Sequence, residues 1–245
     1  MLRSKKSKHA HIYGQQREQG SLGGRVIQTS FLVIIQLTLV DILSDKQMDS
    51  EVFEIFKQYT KRYAELTDQE LERIESVCIQ KKLRKHQYLL QEGEIWRYHA
   101  FIASGCLRTF SVDEKVVEHI VNFGISNWWV GDLESLKSNQ PSKFNIDAVS
   151  DSEVILFPAY EFNKLLSEMP AFDKMVITIH DRSYMAAQRR ILSFISHSAE
   201  EKYLAFLEKY PGFADVIPKN MIASFLGITR ETLSRIRKSH GSQDQ

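Results

Sequence analysis

The sequence predicts an α+β chain in three parts: an N-terminal double-stranded β-roll with flanking helices, one long helix, and a C-terminal all-α helix-turn-helix domain. Three observations predict it. Short apolar runs broken by Gly, Asn, Asp and Pro fill residues 82–157 at intervals of roughly ten, the texture of many short strands in a β-barrel or β-roll. Apolar residues at three- and four-residue spacing lie on both sides of that stretch, the mark of amphipathic helices. Residues 219–238, KNMIASFLGITRETLSRIRK, meet the requirements of two helices crossing through a tight turn.

Composition bounds the reading. The 245 residues are 43% apolar and 26% charged, with a formal net charge of +1, the profile of a globular chain with a real core. The two cysteines, Cys78 and Cys106, form no CxxC pair. A disulfide framework, a structural metal site and an iron–sulfur cluster are therefore not expected, and free thiols suit a reducing cytoplasm.

Residues 1–47 read as a basic and apolar extension outside the folded domains, with Met48 the natural beginning. Six basic residues stand against Glu18 in the first 25, and Phe31–Val40 follows as an apolar run. That run is about 10 residues, short of the roughly 20 that cross a bilayer. No small-residue cleavage site follows it, so neither a membrane partner nor export is expected.

From residue 48 a domain of short strands with flanking helices, a β-barrel or β-roll, is expected to run to 168; a role as a sensor is implied only by family resemblance. Val52, Phe53, Phe56, Tyr59 and Tyr63 give its first helical stripe, within a helical pattern reaching about Gln80. Thr67 and Glu70 form a capping box for a second helix carrying Leu71, Ile74 and Val77. Strands are expected at Tyr88–Leu90, Ala100–Ile102, Val116–Phe123 and Val154–Phe157, with turns at Gly93, Gly105, Gly124 and Gly131. Phe162, Leu165 and Leu166 mark a short helix that Pro170 ends. Trp128 and Trp129 read more readily as core than as pocket lining.

Residues 169–197 read as a dimerisation helix. Phe172, Met175, Val176, Ile179 and Ala186, and later Ile191, Phe194 and Ile195, mark a long helix whose stripe, interrupted by Arg182, Ser183, Arg189 and Arg190, has to be covered by a partner once the helix leaves the β-strands. The last domain, 198–245, opens with a helix at about Ala199–Lys209 that Pro211-Gly212 closes.

In the C-terminal motif Ile222, Leu226, Leu233 and Ile236 sit where two crossing helices bury each other, and Ala223 is small at the crossing. Gly227 opens the turn, where a Cβ is strained. Ile228 plugs it, and Thr229 caps the second helix. Arg230, Glu231, Ser234, Arg235 and Lys238 avoid the buried face. Arginine fits the guanine O6/N7 edge and a carboxylate accepts from cytosine N4, while Thr229 and Thr232 at a helix N-terminus suit phosphate oxygens. Lys238 is assigned to the phosphate backbone. The local balance from Lys219 to Gln245 is five basic residues against two acidic, in keeping with a DNA-facing segment.

The run Gly227-Ile228-Thr229-Arg230-Glu231-Thr232-Leu233-Ser234-Arg235-Ile236 resembles the recognition helix of the Crp/Fnr family, and the likeness extends more loosely over 53–238. The resemblance implies a cyclic-nucleotide-binding-like jelly roll that senses an effector, a dimer, and a palindromic double-stranded operator. RNA polymerase is then a further expected partner. By resemblance, base reading falls on Arg230, Glu231 and Arg235. His240–Gln245 is too short for the β-wing that often follows in the family.

The roll's resemblance centres on Gln91-Glu92-Gly93-Glu94, Ser104-Gly105-Cys106-Leu107-Arg108 and Val130-Gly131-Asp132-Leu133. In cyclic-nucleotide binders the last begins a phosphate-binding turn with a longer acid and an arginine. Here Asp132 replaces the acid and the arginine is missing. Ser142 is the nearest aligned residue and Lys143 the only nearby cation, so Gly131, Asp132, Leu133, Ser142 and Lys143 make a degenerate ligand site. Lysine supplies charge without the bidentate fork, and tight binding of a cyclic nucleotide is not expected. No cofactor is implied. The chain carries no P-loop, dinucleotide fingerprint, HExxH or G-x-S-x-G, so catalysis is not expected. The alternative reading is a ligand-binding or protein-interaction module of this fold without sequence-specific DNA readout.

Overall fold

The computed structural model describes residues 48–241. The expectations for the 1–47 extension, its Phe31–Val40 run and residues 242–245 lie outside the described residues. Helix α1 (Ser50–Thr60) buries Val52, Phe53, Phe56 and Tyr59 on one face. Helix α2 (Asp68–Glu75) opens with the expected capping box: the Glu70 N–H donates to Thr67 Oγ1 at 3.3 Å and the Thr67 N–H to Glu70 Oε2 at 2.8 Å. The helical pattern does not run to Gln80. Strand β1 (Ile79–Leu83) begins there instead, because these residues pair antiparallel with 152–156; tertiary pairing overrides local propensity.

The roll follows as β2 (Tyr88–Leu90), β3 (Tyr98–Ser104), β4 (Cys106–Val112), β5 (Glu118–Ile125), β6 (Trp128–Val130), a short α3 (Leu133–Ser138), β7 (Asn145–Ala148) and β8 (Ser152–Pro158). They form two four-stranded antiparallel sheets, β1-β8-β3-β6 and β2-β7-β4-β5. Gly105 takes φ +93° between β3 and β4, where a Cβ would lie 2.2 Å from Ser152 Oγ and 2.5 Å from the Asp151 carbonyl. Gly124 is not a turn residue. It lies inside β5, close against Ile102. Val116, expected in a strand, has φ +62° in the preceding turn, which the Asp113 carboxylate holds by accepting from the Lys115 and Val117 N–H groups.

Helix α4 (Ala159–Glu168) leads to the long α5 (Pro170–Ser196), with Pro170 at its first position, where a missing N–H costs nothing. Helix α6 (Ala199–Lys209) has its own capping box, Ser198 with Glu201. Helices α7 (Lys219–Leu226) and α8 (Arg230–Gly241) form the C-terminal pair.

Three apolar clusters hold these elements. One joins α1, β3, β8, α4 and the start of α5 through Phe53, Phe56, Phe101, Phe157, Phe162 and Phe172. Another fills the roll with Leu90, Ile102, Leu107 and Val154. The third runs from β4 and β5 into the helix-turn-helix, packing Phe123 against Phe206, Tyr210 and Phe225. Ser224 of α7 seals this junction on β5: it accepts from the Ile120 N–H and donates to the Glu118 carbonyl, both at 3.1 Å.

The apolar stripe expected to form a dimer seam is occupied within the chain. Phe172, Met175 and Val176 are buried in the first cluster and Ile179 packs half-buried against it. The exposed apolar residues of α5 are instead Ile177, Tyr184, Met185, Ile191, Leu192, Phe194 and Ile195. The first half of α5 does have a core to meet, namely α1, α4 and the roll.

Candidate nucleic-acid interface and sensor cavity

The turn between α7 and α8 is a Schellman motif. Gly227 has φ +65° and ψ 36°; its N–H donates to the Ser224 carbonyl at 3.1 Å, and the Ile228 N–H to the Ala223 carbonyl at 3.0 Å. A Cβ on Gly227 would lie 3.2 Å from Phe194 Cε1, a contact relieved by a small shift of that half-open ring, so it is the left-handed conformation that favours glycine here. Thr229 caps α8, its Oγ1 accepting from the Thr232 N–H at 3.2 Å and donating to Thr232 Oγ1 at 3.1 Å.

Ile222, Ala223, Leu226, Leu233 and Ile236 are buried together. Their packing turns the other side of α8 outward: Thr229, Arg230, Glu231, Ser234, Arg235 and Lys238 are exposed, and Thr232 is half-buried. Arg237, which faces back, is held by Asp215 at 3.5 Å. The two arginines therefore share one open face with Glu231, at the N-terminal end of a capped helix. Such a face can reach base edges while the capped end meets a phosphate.

The roll contains a cavity of about 420 Å³ between the sheets and α5, lined by Trp96, Tyr98, His99, Thr109, Asn122, Trp129, Asp132, His180 and Ser183, among others. Of the degenerate turn, Gly131, Asp132 and Leu133 line it while Ser142 and Lys143 do not, and Asp132 and Ser142 are engaged with each other. Asp132 is the buried N-cap of α3, accepting from the Glu134 and Ser135 N–H groups at 2.9 and 3.1 Å. It also accepts from the Ser142 hydroxyl at 2.7 Å. Leu133 is exposed, and Lys143 points to solvent 4.0 Å from Glu134. The space beside Gly131, where a backbone would approach a ligand, is taken by Trp96, whose Nε1 would lie 2.5 Å from a Cβ there.

Among the described residues no Lys or Arg lines this cavity. Arg108, the roll's buried arginine, is committed elsewhere, donating to both Asp147 oxygens at 2.7 and 2.9 Å and to Glu118. His99 stacks on Phe162 with ring centroids 3.9 Å apart. Burial, with help from His180 and Lys137, lowers its pKa to about 4. The cavity is thus lined by neutral polar and aromatic groups with one carboxylate, and supplies no cation for a phosphate. Trp129 serves two ends, packing on Phe56, Phe101 and Phe157 while lining the cavity. Both thiols are held away from the thiolate: burial pushes Cys106 up to about 12, and burial together with Glu75 raises Cys78.

Sequence reasoning missed the Asp132–Ser142 bond and the division of the α5 stripe into a covered face and an exposed one. The first was signalled by Asp132-Leu133-Glu134-Ser135, a capping pattern. The second was signalled by Ile177, Tyr184, Gln188, Ile191 and Ile195, which keep heptad spacing.

Residues 80–169 match the family described as cyclic nucleotide-binding domain. Over 183 residues, 70% of the chain, the sequence is 27% identical to regulatory protein HlyX of Actinobacillus pleuropneumoniae, covering 75% of that protein. It is 26% identical over the same share to the fumarate and nitrate reduction regulatory protein of Vibrio cholerae, covering 72% of it. Among solved structures, FixK2 of Bradyrhizobium japonicum shares the fold over 69% of this chain and 86% of its own, with a TM-score of 0.60 at 19% identity. Among the described residues no helix is long and apolar enough to cross a membrane.

Proposed function

We propose that the chain is a regulator of the Crp/Fnr family that works in the cytoplasm as a C2 dimer on a palindromic DNA site, with RNA polymerase as a further partner. The observation that carries the DNA reading is the open face of α8. Arg230, Glu231 and Arg235 read bases; Thr229, Thr232 and Lys238 hold phosphates; Ser234 lies between the two groups. The roll is the sensor, and its cavity suits an uncharged or weakly charged effector better than a cyclic nucleotide, because no cation faces it.

The dimer forms through α5, but through the face bearing Ile177, Tyr184, Ile191, Leu192 and Ile195. Ile177, Tyr184, Ile191 and Ile195 repeat at heptad spacing, Leu192 flanks them, and all five are exposed in one chain. A second copy of the same helix covers them in an isologous contact.

Selection of bound DNA from a random pool tests the reading. Two symmetry-related α8 helices enter successive major grooves, so half-site centres are expected about 34 Å apart. Arg230→Ala and Arg235→Ala each cost about 1–3 kcal/mol per half-site and relax preference at one base. Lys238→Ala weakens all sequences alike and flattens the salt dependence. Equal loss on operator and random DNA for the two arginine variants would leave α8 as a backbone binder and overturn the assignment.

A further inference from the structure

Between the C-terminal half of α5 and the α6–α7 pair lies a second cavity, a groove of about 410 Å³. Its floor is aromatic and buried: Phe206, Tyr210 and Phe225. Its walls carry Arg189, Arg190, Lys202 and Lys209, and no carboxylate lines it. The cations rest on rings and carbonyls instead. The Arg190 guanidinium donates to the Val121 carbonyl and lies 4.2 Å from the Phe225 ring centroid. Lys202 donates to the Phe194 carbonyl at 3.2 Å, and Lys209 sits 5.1 Å over Trp128 and 5.3 Å over Tyr210.

Gathering four positive charges around an apolar floor is unfavourable until an anion joins them. Lys209 registers this: burial first, then Arg190 and Arg189, lower its pKa. We propose that this groove is a binding site for an aromatic polyanion, its ring against Phe206, Tyr210 and Phe225 and its charges on Arg189, Arg190, Lys202 and Lys209. Ring faces and guanidinium planes take a flat aromatic body, and charge-assisted hydrogen bonds take its anionic groups.

Three features separate this site from the others. Its volume falls in the range of small-molecule pockets, and a DNA phosphate backbone has no use for an aromatic floor. The roll cavity holds no cation. At about 100° per residue, the groove residues Ala186, Ser193 and His197 lie roughly opposite Tyr184, Ile191 and Ile195 around α5, so a partner on that apolar face leaves the groove open.

Isothermal titration of the full chain with four probes tests the site. ATP and benzene-1,3,5-tricarboxylate are aromatic polyanions of phosphate and carboxylate type, tripolyphosphate has charge without a ring, and adenosine has a ring without charge. At least one aromatic polyanion is expected to bind with a Kd of about 100 μM or tighter, at least tenfold better than tripolyphosphate, with adenosine undetected. Whichever of the two binds tighter names the anionic group. Arg189→Gln with Lys202→Gln, two positions outside the roll cavity, should weaken that binding at least tenfold. If the pair melts early, Arg189→Gln alone, at an exposed position, carries the test and should weaken binding at least threefold. Tripolyphosphate binding as tightly as the better aromatic probe, no aromatic probe binding below about 1 mM, or affinity unchanged in the variants would each overturn the proposal.

Discussion

Ile191→Glu separates the face of α5 that meets a second copy from the face that meets its own chain. Ile191 is 61% exposed in the single chain. Full burial of an isoleucine side chain is worth about 1.5–3 kcal/mol, so covering this fraction recovers about 1–2 kcal/mol. Twofold symmetry counts it twice, for about 2–4 kcal/mol lost when both copies change. At 1.4 kcal/mol per decade, the dimer dissociation constant rises about 30- to 700-fold, and two carboxylates brought into the seam add to that. Sedimentation velocity over a range of concentrations reads the shift, and the melting temperature of the dissociated chain should hold. Ile179→Glu should do the opposite. Its side chain packs on the cluster of Phe56, Phe101 and Phe172, so the loss appears as a lower melting temperature of the chain itself. The reasoning fails if Ile191→Glu stays dimeric within a few-fold of wild type. It fails equally if Ile179→Glu yields folded monomer with an unchanged melt.

Three further outcomes are expected. Gly227→Ala forces a Cβ into a left-handed turn beside Phe194 and should cost about 1–3 kcal/mol, read by denaturant unfolding; Gly227→Asn should cost less, and equal stability of all three proteins would contradict the strain argument. Calorimetry with cyclic AMP should give no binding in the low-micromolar range, since Asp132 and Ser142 are bonded to each other and no cation lines the roll cavity; a low-micromolar isotherm would show the cavity misjudged. His99 has its folded pKa lowered from 6.5 to about 4, so the unfolded chain binds more protons between those values and stability rises with pH across that window. The contribution is fully present above about 6.5 and is lost as pH falls toward 4, on the order of 3 kcal/mol at most; a pH–stability profile unchanged by His99→Gln would dispose of it.

The C-terminal motif was legible because its determinants are local. Gly227, Thr229 and the spacing of Ile222, Leu226, Leu233 and Ile236 each answer to the geometry of one turn and two short helices, and the backbone has one way to satisfy them together. The roll was legible as texture: apolar runs of strand length separated by turn residues. Its pairing was less so. The end of α2 fell short of the helical pattern because β8, more than 70 residues on, claims Ile79–Leu83.

What the sequence left open was which of two apolar stripes on one helix meets which neighbour. Phe172, Met175, Val176 and Ile179 read as a seam because periodicity reports that a face is covered, not by what. Only the tertiary structure, bringing α1 and α4 against that face, decided that the chain covers it and that Ile177, Tyr184, Ile191 and Ile195 remain outside. The same holds for the two cavities. Asp132 and Ser142 read as ligand groups until the fold placed them 2.7 Å apart. Arg189 and Arg190 on α5 and Lys202 and Lys209 on α6 are far enough apart in sequence that only the convergence of the two helices gathers them around one groove. Contacts between distant segments depend on the net balance of the whole core, and no local pattern encodes that balance.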